Sequence, residues 1–115
     1  MSANSIAREK SMAFAIRIVR LYQHLCSEYK EFVLSKQILR SGTSIGANIT
    51  EAVYGSSRKD FIAKLRIALK ECAETLYWLE LLHACDFLPT NLYESLFCDC
   101  EELRRILSAS IKSSS

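Results

Sequence analysis

Glycine and proline are scarce in this sequence, with 3 Gly and 1 Pro among 115 residues. β-Sandwiches and β-barrels need turn residues about every 8–12 positions, so this scarcity argues against both folds. No apolar run approaches the roughly 18 residues of a membrane-spanning helix, and the opening MSANSIAREK lacks the apolar stretch of a signal peptide. We therefore expect one helical domain, residues 1–115, in the cytoplasm and without membrane contact.

Motifs for metal binding and catalysis are lacking as well. Zinc ligands usually come in pairs two to four residues apart, and His24 and His83 belong to no HxxxH or HExxH pattern. No phosphate-binding glycine loop or nucleophile elbow occurs. We expect no cofactor, no metal and no enzyme activity. The cysteines, expected as small buried residues in a reducing compartment, are Cys26, Cys72, Cys85, Cys98 and Cys100.

Apolar residues recur at helical spacing in four segments, at about 5–30, 33–54, 58–85 and 91–111. Asn4 and Ser5 are candidate N-caps of the first segment. Four helices with short connections predict an all-α fold, an antiparallel up-and-down four-helix bundle. The expected core stripes of the last two segments run from Phe61 to His83 and from Leu92 to Ile111. The expected core stripe of the first segment is Met12, Ala15, Ile16, Val19, Tyr22 and Cys26.

The second segment has an unusually small and polar middle, residues 40–48. A glycine inside a helix costs about 1 kcal/mol relative to alanine, and Gly42 and Gly46 lie four positions apart on one strip of surface. Very close approach of a neighbouring helix or subunit would offset that cost, and a loop over 41–47 is the alternative. We assign both glycines to an oligomer interface, together with Trp78, which lies roughly 120° from the centre of its apolar stripe.

Charge is distributed unevenly along the chain. Residues 1–70 contain 12 Lys and Arg against 5 Asp and Glu, whereas residues 71–115 contain 3 against 8. This asymmetry indicates a surface for a polyanion, a head-to-tail contact between subunits, or solvated helix faces alone. The carboxylates that would meet a neighbour's basic half are Glu94, Asp99, Glu101 and Glu102.

A row of cations lies on one side of the third segment. Lys59, Arg66 and Lys70 fall within roughly 40° of one another on a helix, away from its apolar stripe. Tyr77 continues the row and could stack a base. Such a row suits phosphates, and a solvated helix face is the alternative. Further cations would widen the row if the second helix packs alongside, so the candidate nucleic-acid-binding residues are Arg40, Arg58, Lys59, Arg66, Lys70 and Tyr77.

The segment from Ser35 to Leu82 resembles a known bacterial family. Its recognisable pieces are QILRS at 37–41, SIGANITEA at 44–52, KDFI at 59–62 and IAL at 67–69. They are similar to four-helix-bundle proteins encoded within intervening sequences of large-subunit ribosomal RNA genes. That family includes the accessory variability determinants of diversity-generating retroelements. The chain departs from the family pattern at Thr50 and Ala52, beside Glu51, and in having Arg40 alone where paired basic residues are common.

The resemblance implies a homo-oligomer, typically a pentameric ring of bundles, with no known catalytic activity. For the retroelement branch it implies RNA or an RNA–DNA hybrid and a reverse transcriptase as partners. We assign Asn48 and Glu51 a structural polar role, with Asn48 hydrogen-bonded inside the bundle where it fixes helix register; a polar recognition pair is the alternative. The predicted function is a non-catalytic accessory protein that binds nucleic acid. A purely structural or protein-binding assembly is the alternative.

Overall fold

The computed structural model describes the backbone of residues 3–115 and the side chains from Ser5 onward. Within this range, the chain forms the helices α1 (Ala3–Tyr29), α2 (Leu34–Val53), α3 (Arg58–Ala84) and α4 (Thr90–Ser114). The predicted segments differ from these bounds by at most three residues. Because α1 already begins at Ala3, Ser5 lies inside its first turn rather than at the N-cap. The side chain of Asn4 lies outside the described part of the structure.

Each helix runs antiparallel to the helices beside it. Along α2 and α3, for example, Ser41 faces Thr75 while Glu51 pairs with Lys64, so one helix ascends as the other descends. α1 and α3 each contact both α2 and α4, and they lie at opposite corners of the bundle. The resulting rod measures 44 × 21 × 21 Å. This confirms the predicted all-α, up-and-down four-helix bundle.

Side chains cap the starts of α2 and α3. The Ser57 hydroxyl accepts a hydrogen bond from the Asp60 backbone N–H at 3.1 Å, at the start of α3. The Glu31 carboxylate accepts from the backbone N–H groups of Leu34 and Ser35 at 3.1 and 2.7 Å. The Ser35 hydroxyl donates back to the Glu31 carbonyl at 2.7 Å. Both caps satisfy N–H groups that have no acceptor inside the helix, and so they define where these helices begin.

α3 and α4 contribute the core stripes that their spacing predicts. The buried residues of α4 are Leu96, Cys100, Leu103, Leu107 and Ile111. Those of α3 are Leu65, Ala68, Cys72, Thr75, Leu79 and Leu82. The predicted members Phe61, Leu69, Leu76 and Leu92 are half-buried at the edge of the core. α4 has one dominant apolar face, so only one orientation buries it, whereas α3 also leaves the apolar side chains of Ile67 and Tyr77 exposed.

α1 buries a different face from the predicted one. Met12, Ile16 and Val19 are exposed by 63%, 47% and 39%. This exposed set lies on the opposite side of the helix from the buried set. α1 is therefore apolar on both faces, and the larger set enters the core because it removes more apolar surface from water. The buried set is Ala7, Phe14, Ile18, Leu21 and Leu25.

Gly42 and Gly46 lie at the contact between α1 and α2 inside one chain, which is the neighbouring-helix form of the predicted close approach; their place in an oligomer interface stays a prediction. A Cβ on Gly42 would lie 2.9 Å from Cγ1 and Cγ2 of Ile18, and a Cβ on Gly46 would lie 3.0 Å from the Ser11 hydroxyl. α2 stays helical across 41–47, so the loop alternative is wrong. The close neighbour that the glycine pair predicts is therefore α1.

The cysteines divide by burial. Cys72 and Cys100 are buried as predicted, Cys26 is half-buried, Cys85 and Cys98 are exposed, and all five are free thiols. Within residues 3–115, no group of His, Cys, Asp and Glu side chains is arranged to hold a metal ion. No helix in that same range is long and apolar enough to cross a bilayer.

Candidate nucleic-acid interface

The cationic row on α3 lies on the side of the helix opposite to the core. Lys59, Arg66 and Lys70 are exposed, and with the exposed Tyr77 they form what we call the α3 strip. Because a helix rises ~1.5 Å per residue, the strip is about 27 Å long. The Tyr77 ring stands edge-on to the Trp78 ring, with centroids 5.0 Å apart. An exposed ring steadied in this way is suited to stack a base.

The three cations of the α3 strip form no salt bridge with any residue that the structure describes. The cations that do pair with carboxylates lie elsewhere on the bundle, and they are Lys10, Arg17, Arg40, Lys64 and Arg104. The strip therefore presents about three uncompensated positive charges along one helix face.

Arg40 does not extend the α3 strip. Its guanidinium pairs with Glu71 at 3.1 Å and also with Glu74, so carboxylates of α3 already neutralise it. The Trp78 indole N–H and the Arg40 guanidinium hold the pKa of Glu74 below its ordinary value. Arg58 is exposed at the start of α3. Arg58 lies roughly 100° around the helix from the α3 strip, so it is not part of the row.

Trp78 is half-buried and makes its observed contacts inside one chain, while its place in an oligomer interface stays a prediction. Its indole N–H donates to a Glu74 carboxylate oxygen at 2.9 Å, and its ring packs against the apolar core. Trp78 therefore acts inside the protomer, where its hydrogen bond orients the carboxylate that binds Arg40.

Asn48 and Glu51 have local roles on the surface of α2. The Asn48 amide donates to the Ser44 carbonyl at 2.8 Å, a bond within the same helix. The prediction that Asn48 fixes the register between helices is therefore wrong. Glu51 is exposed and accepts from Lys64 of α3 at 2.9 Å. The polar link inside the bundle is instead the hydrogen bond between Ser41 and Thr75 at 2.9 Å. Its signal in the sequence is Thr75 at core spacing in an otherwise apolar stripe.

The carboxylates of α4 are largely engaged within the chain rather than left for a neighbour. Asp99 pairs with Arg17 at 2.6 Å, and Glu102 pairs with Lys10 at 3.2 Å, so the acidic α4 meets the basic α1. Glu101 pairs with Arg104 one turn along α4 at 2.9 Å. Glu94 is exposed and forms no salt bridge with the described residues. Two pairs of oppositely charged side chains thus join α1 to α4.

Sequence reasoning missed an apolar surface on the outside of α1. We call Met12, Ile16 and Val19 the α1 outer face; all three are exposed. Beside it, a groove of about 470 Å³ between α1 and α2 has small side chains along its walls, including Ala15, Gly46 and Ala47. Large apolar side chains next to a groove lined by small residues are typical of a protein–protein contact surface. The signal for this surface in the sequence is that α1 has two apolar stripes; helical spacing alone assigned the stripe with Met12, Ile16 and Val19 to the core.

Comparison with known proteins identifies the family. The sequence matches the 23S rRNA-intervening sequence protein family over residues 3–109. The chain belongs to this family. A crystal structure of a protein of unknown function from the S23 ribosomal protein family of Bacteroides thetaiotaomicron is similar to it, with 54% identity and a TM-score of 0.95. The match covers 96% of this chain and 99% of that chain. No curated protein matches the sequence.

Membership in the 23S rRNA-intervening sequence protein family confirms the predicted resemblance, which covers most of the chain and is most specific in residues 35–82. The agreement with the S23-family crystal structure confirms the four-helix bundle independently of the sequence periodicity. Neither the family nor its crystallised relative is named for a catalytic activity.

Proposed function

We propose that this protein is a non-catalytic, homo-oligomeric accessory protein of the cytoplasm that binds RNA or an RNA–DNA hybrid through the α3 strip. A pentamer and a reverse transcriptase partner follow from the family resemblance and form part of the proposal. The observation that carries it is the α3 strip itself: Lys59, Arg66 and Lys70 are exposed in one row and form no salt bridge with the described residues.

The physical basis is the release of counterions from a polyanion. Each Lys or Arg that neutralises a phosphate makes the affinity fall as salt rises. Three such contacts give a slope of log affinity against log salt of about −2 to −3 per subunit. Several strips in one ring would act on the same nucleic acid and raise its avidity. Tyr77 at one end of the row adds stacking on an exposed base.

The test is a titration of the purified protein against a structured RNA and an RNA–DNA hybrid, at low and at physiological salt. The key variant is Lys59→Gln/Arg66→Gln/Lys70→Gln. Its matched control is Lys36→Gln/Arg105→Gln/Lys112→Gln, which removes the same charge from three exposed side chains that form no salt bridge within the described part of the chain. We expect a steep fall of affinity with salt in the wild type. In the strip variant, the slope of log affinity against log salt should be shallower by about 2 or more, and in the control it should change little.

Two results would contradict the nucleic-acid proposal. Equal losses in the strip variant and in the matched control would show that net charge alone governs binding. No binding at low salt would leave the alternative function, an assembly that contacts only proteins. The α1 outer face favours that alternative as a second candidate, because it supplies a contact surface that needs no nucleic acid.

For the assembly, we propose the α1 outer face, together with the groove that Gly46 lines beside it, as the surface that meets a second copy of the chain. Ile16→Lys at its centre should shift the sedimentation-velocity profile toward monomer, because a buried contact would then hold an unpaired charge. The matched control is Ile67→Lys on α3, since Ile16 and Ile67 are similarly exposed, by 47% and 41%. Dissociation of the Ile67 variant in place of the Ile16 variant would assign the contact to α3.

A further inference from the structure

A second candidate surface lies between α1 and α4, on the opposite corner of the bundle from the α3 strip. A pocket of about 240 Å³ opens there, and its floor consists of Leu21, Leu92 and Leu96. Leu21 and Leu96 are buried and Leu92 is half-buried, so the floor is apolar. The rim of this α1–α4 pocket is formed by Arg17, Arg20 and His24 of α1.

Two planar groups on the rim are held by neighbours. The Arg17 guanidinium binds the Asp99 carboxylate at 2.6 Å. The His24 ring meets the Tyr29 ring edge-on, with centroids 5.8 Å apart. Guanidinium planes and aromatic rings are the groups on which proteins stack unpaired bases. Arg17 and His24 lie seven residues, about two turns of helix, apart on α1, and Arg20 lies between them.

Arg20 provides the complementary charge. It is exposed and forms no salt bridge with the described residues, whereas the charge of Arg17 is already balanced by Asp99. An apolar floor, two fixed planes and one free cation complement a molecule that has a flat body and one anionic group. Helix spacing places Arg17, Arg20 and His24 on one side of α1 over about 10 Å, the scale of one nucleotide.

We propose that the α1–α4 pocket receives one unstacked nucleotide of a single-stranded RNA, with the base over the leucine floor and the phosphate at Arg20. This inference rests on the proposed function and adds a site for single strands to the phosphate row of the α3 strip. The lining supplies no buried hydrogen-bonding side chain that would read a base edge. The pocket should therefore accept different bases with similar affinity.

The two histidines give a direct readout. His24 lies on the pocket rim, while His83 is stacked on Tyr93 at 4.2 Å, near the α3–α4 connection. In an NMR titration at constant pH, adenosine 5′-monophosphate and uridine 5′-monophosphate should each shift the His24 imidazole signals and leave those of His83 in place. Inorganic phosphate should shift the His24 signals much less. Equal shifts with inorganic phosphate, or none with either nucleotide, would overturn the pocket.

Binding of RNA separates the pocket from the α3 strip. Arg20→Gln/His24→Ala should weaken binding of a ten-nucleotide oligo-U by at least about fivefold and leave duplex RNA nearly unchanged. The matched control, Lys36→Gln/Gln37→Ala, alters two exposed side chains of α2 and should change neither. Equal weakening of both RNAs would reduce Arg20 to an ordinary phosphate contact and overturn the pocket. Failure of the wild type to bind any RNA, with the nucleotide shifts intact, would instead overturn the proposed function.

Discussion

The hydroxyl groups of Thr75 and Ser41 lie 2.9 Å apart and are hydrogen-bonded to each other across the contact between α2 and α3. Both residues are fully buried, with 0% exposure. Thr75 also lies 2.7 Å from the Glu71 carbonyl. A buried hydroxyl without a partner is costly in free energy. This pair therefore favours the observed register of α2 against α3 over registers in which the two helices are shifted along each other.

Removal of one hydroxyl should therefore destabilise the bundle. Thr75→Val, which keeps the branched shape, should lower the free energy of unfolding by about 1–2 kcal/mol, because Ser41 loses its partner across the contact. In the Thr75→Val background, Ser41→Ala should lower the free energy of unfolding by less than it does in the wild type, because the Thr75 hydroxyl is already absent. Urea denaturation of the four proteins gives the coupling directly. Strictly additive effects would show that the two hydroxyls act independently.

Substitution at Gly42 tests the close approach of α1 and α2. Gly42→Ala should destabilise by about 1–3 kcal/mol even though alanine favours a helix, because its Cβ would meet Ile18 at 2.9 Å. Gly46→Ala should cost less, since its nearest contact is the rotatable Ser11 hydroxyl. In an Ile18→Ala background, Gly42→Ala should become neutral or stabilising. Thermal unfolding followed by circular dichroism measures all three, and an unrelieved cost in that background would contradict this interpretation.

The stability of the fold should fall in acid because the lowered pKa values of Glu31, Glu74 and Glu101 hold these carboxylates ionised. The Trp78 indole N–H and the Arg40 guanidinium lower the pKa of Glu74. Burial opposes the same shift at Glu31, yet backbone N–H groups of α2 lower the pKa of that carboxyl too. A lowered folded-state pKa gives stability that is present above the ordinary value of 4.5 and is lost as the pH falls below it.

Trp78→Phe should make that acid loss shallower, because Glu74 loses its indole donor. Chemical denaturation at about pH 7 and about pH 3, followed by circular dichroism, compares the variant with the wild type. Tyr77→Phe is the control, since its neighbouring ring makes no hydrogen bond to Glu74. The same pH dependence in wild type and Trp78→Phe would show that Glu74 contributes nothing to it.

The five thiols should differ widely in reactivity. Cys85 and Cys98 are exposed and should react quickly with iodoacetamide, whereas Cys72 and Cys100 are buried. A hydrogen bond with Cys72, together with burial, raises the pKa of the Cys100 thiol. Its reactive thiolate is thus scarce. Mass spectrometry of timed samples should show Cys100 labelled roughly 100-fold or more slowly than Cys98, until denaturant opens the bundle. Similar rates would mean that the α3–α4 contact opens readily.

Much of the fold could be predicted because its determinants are local. The helix bounds follow from spacing and from breaks such as Pro89, and the α3 strip follows from spacing along a single helix. The inward face of α1 could not be predicted in this way. Both of its faces are apolar, and the face with Phe14 is buried in preference to the face with Met12 because it removes more apolar surface from water once α2 and α4 pack against α1.

The candidate site shows the same division. The α3 strip could be predicted from sequence spacing, because Lys59, Arg66 and Lys70 lie on one helix. The neutralisation of Arg40 could not, because Glu71 lies 31 positions away and meets Arg40 only when α2 packs on α3. The α1–α4 pocket likewise exists only once Leu92 and Leu96 close against the basic side of α1.

The sequence by itself determined four helices, their ends and the cationic row on α3, since each depends on residues within a single helix or at its ends. Tertiary structure alone decided which face of α1 is buried and which helix approaches Gly42. It also decided which cations stay unpaired. These outcomes depend on contacts between residues far apart in the chain, and such contacts are selected by the total apolar surface buried and by the pairing of buried polar groups.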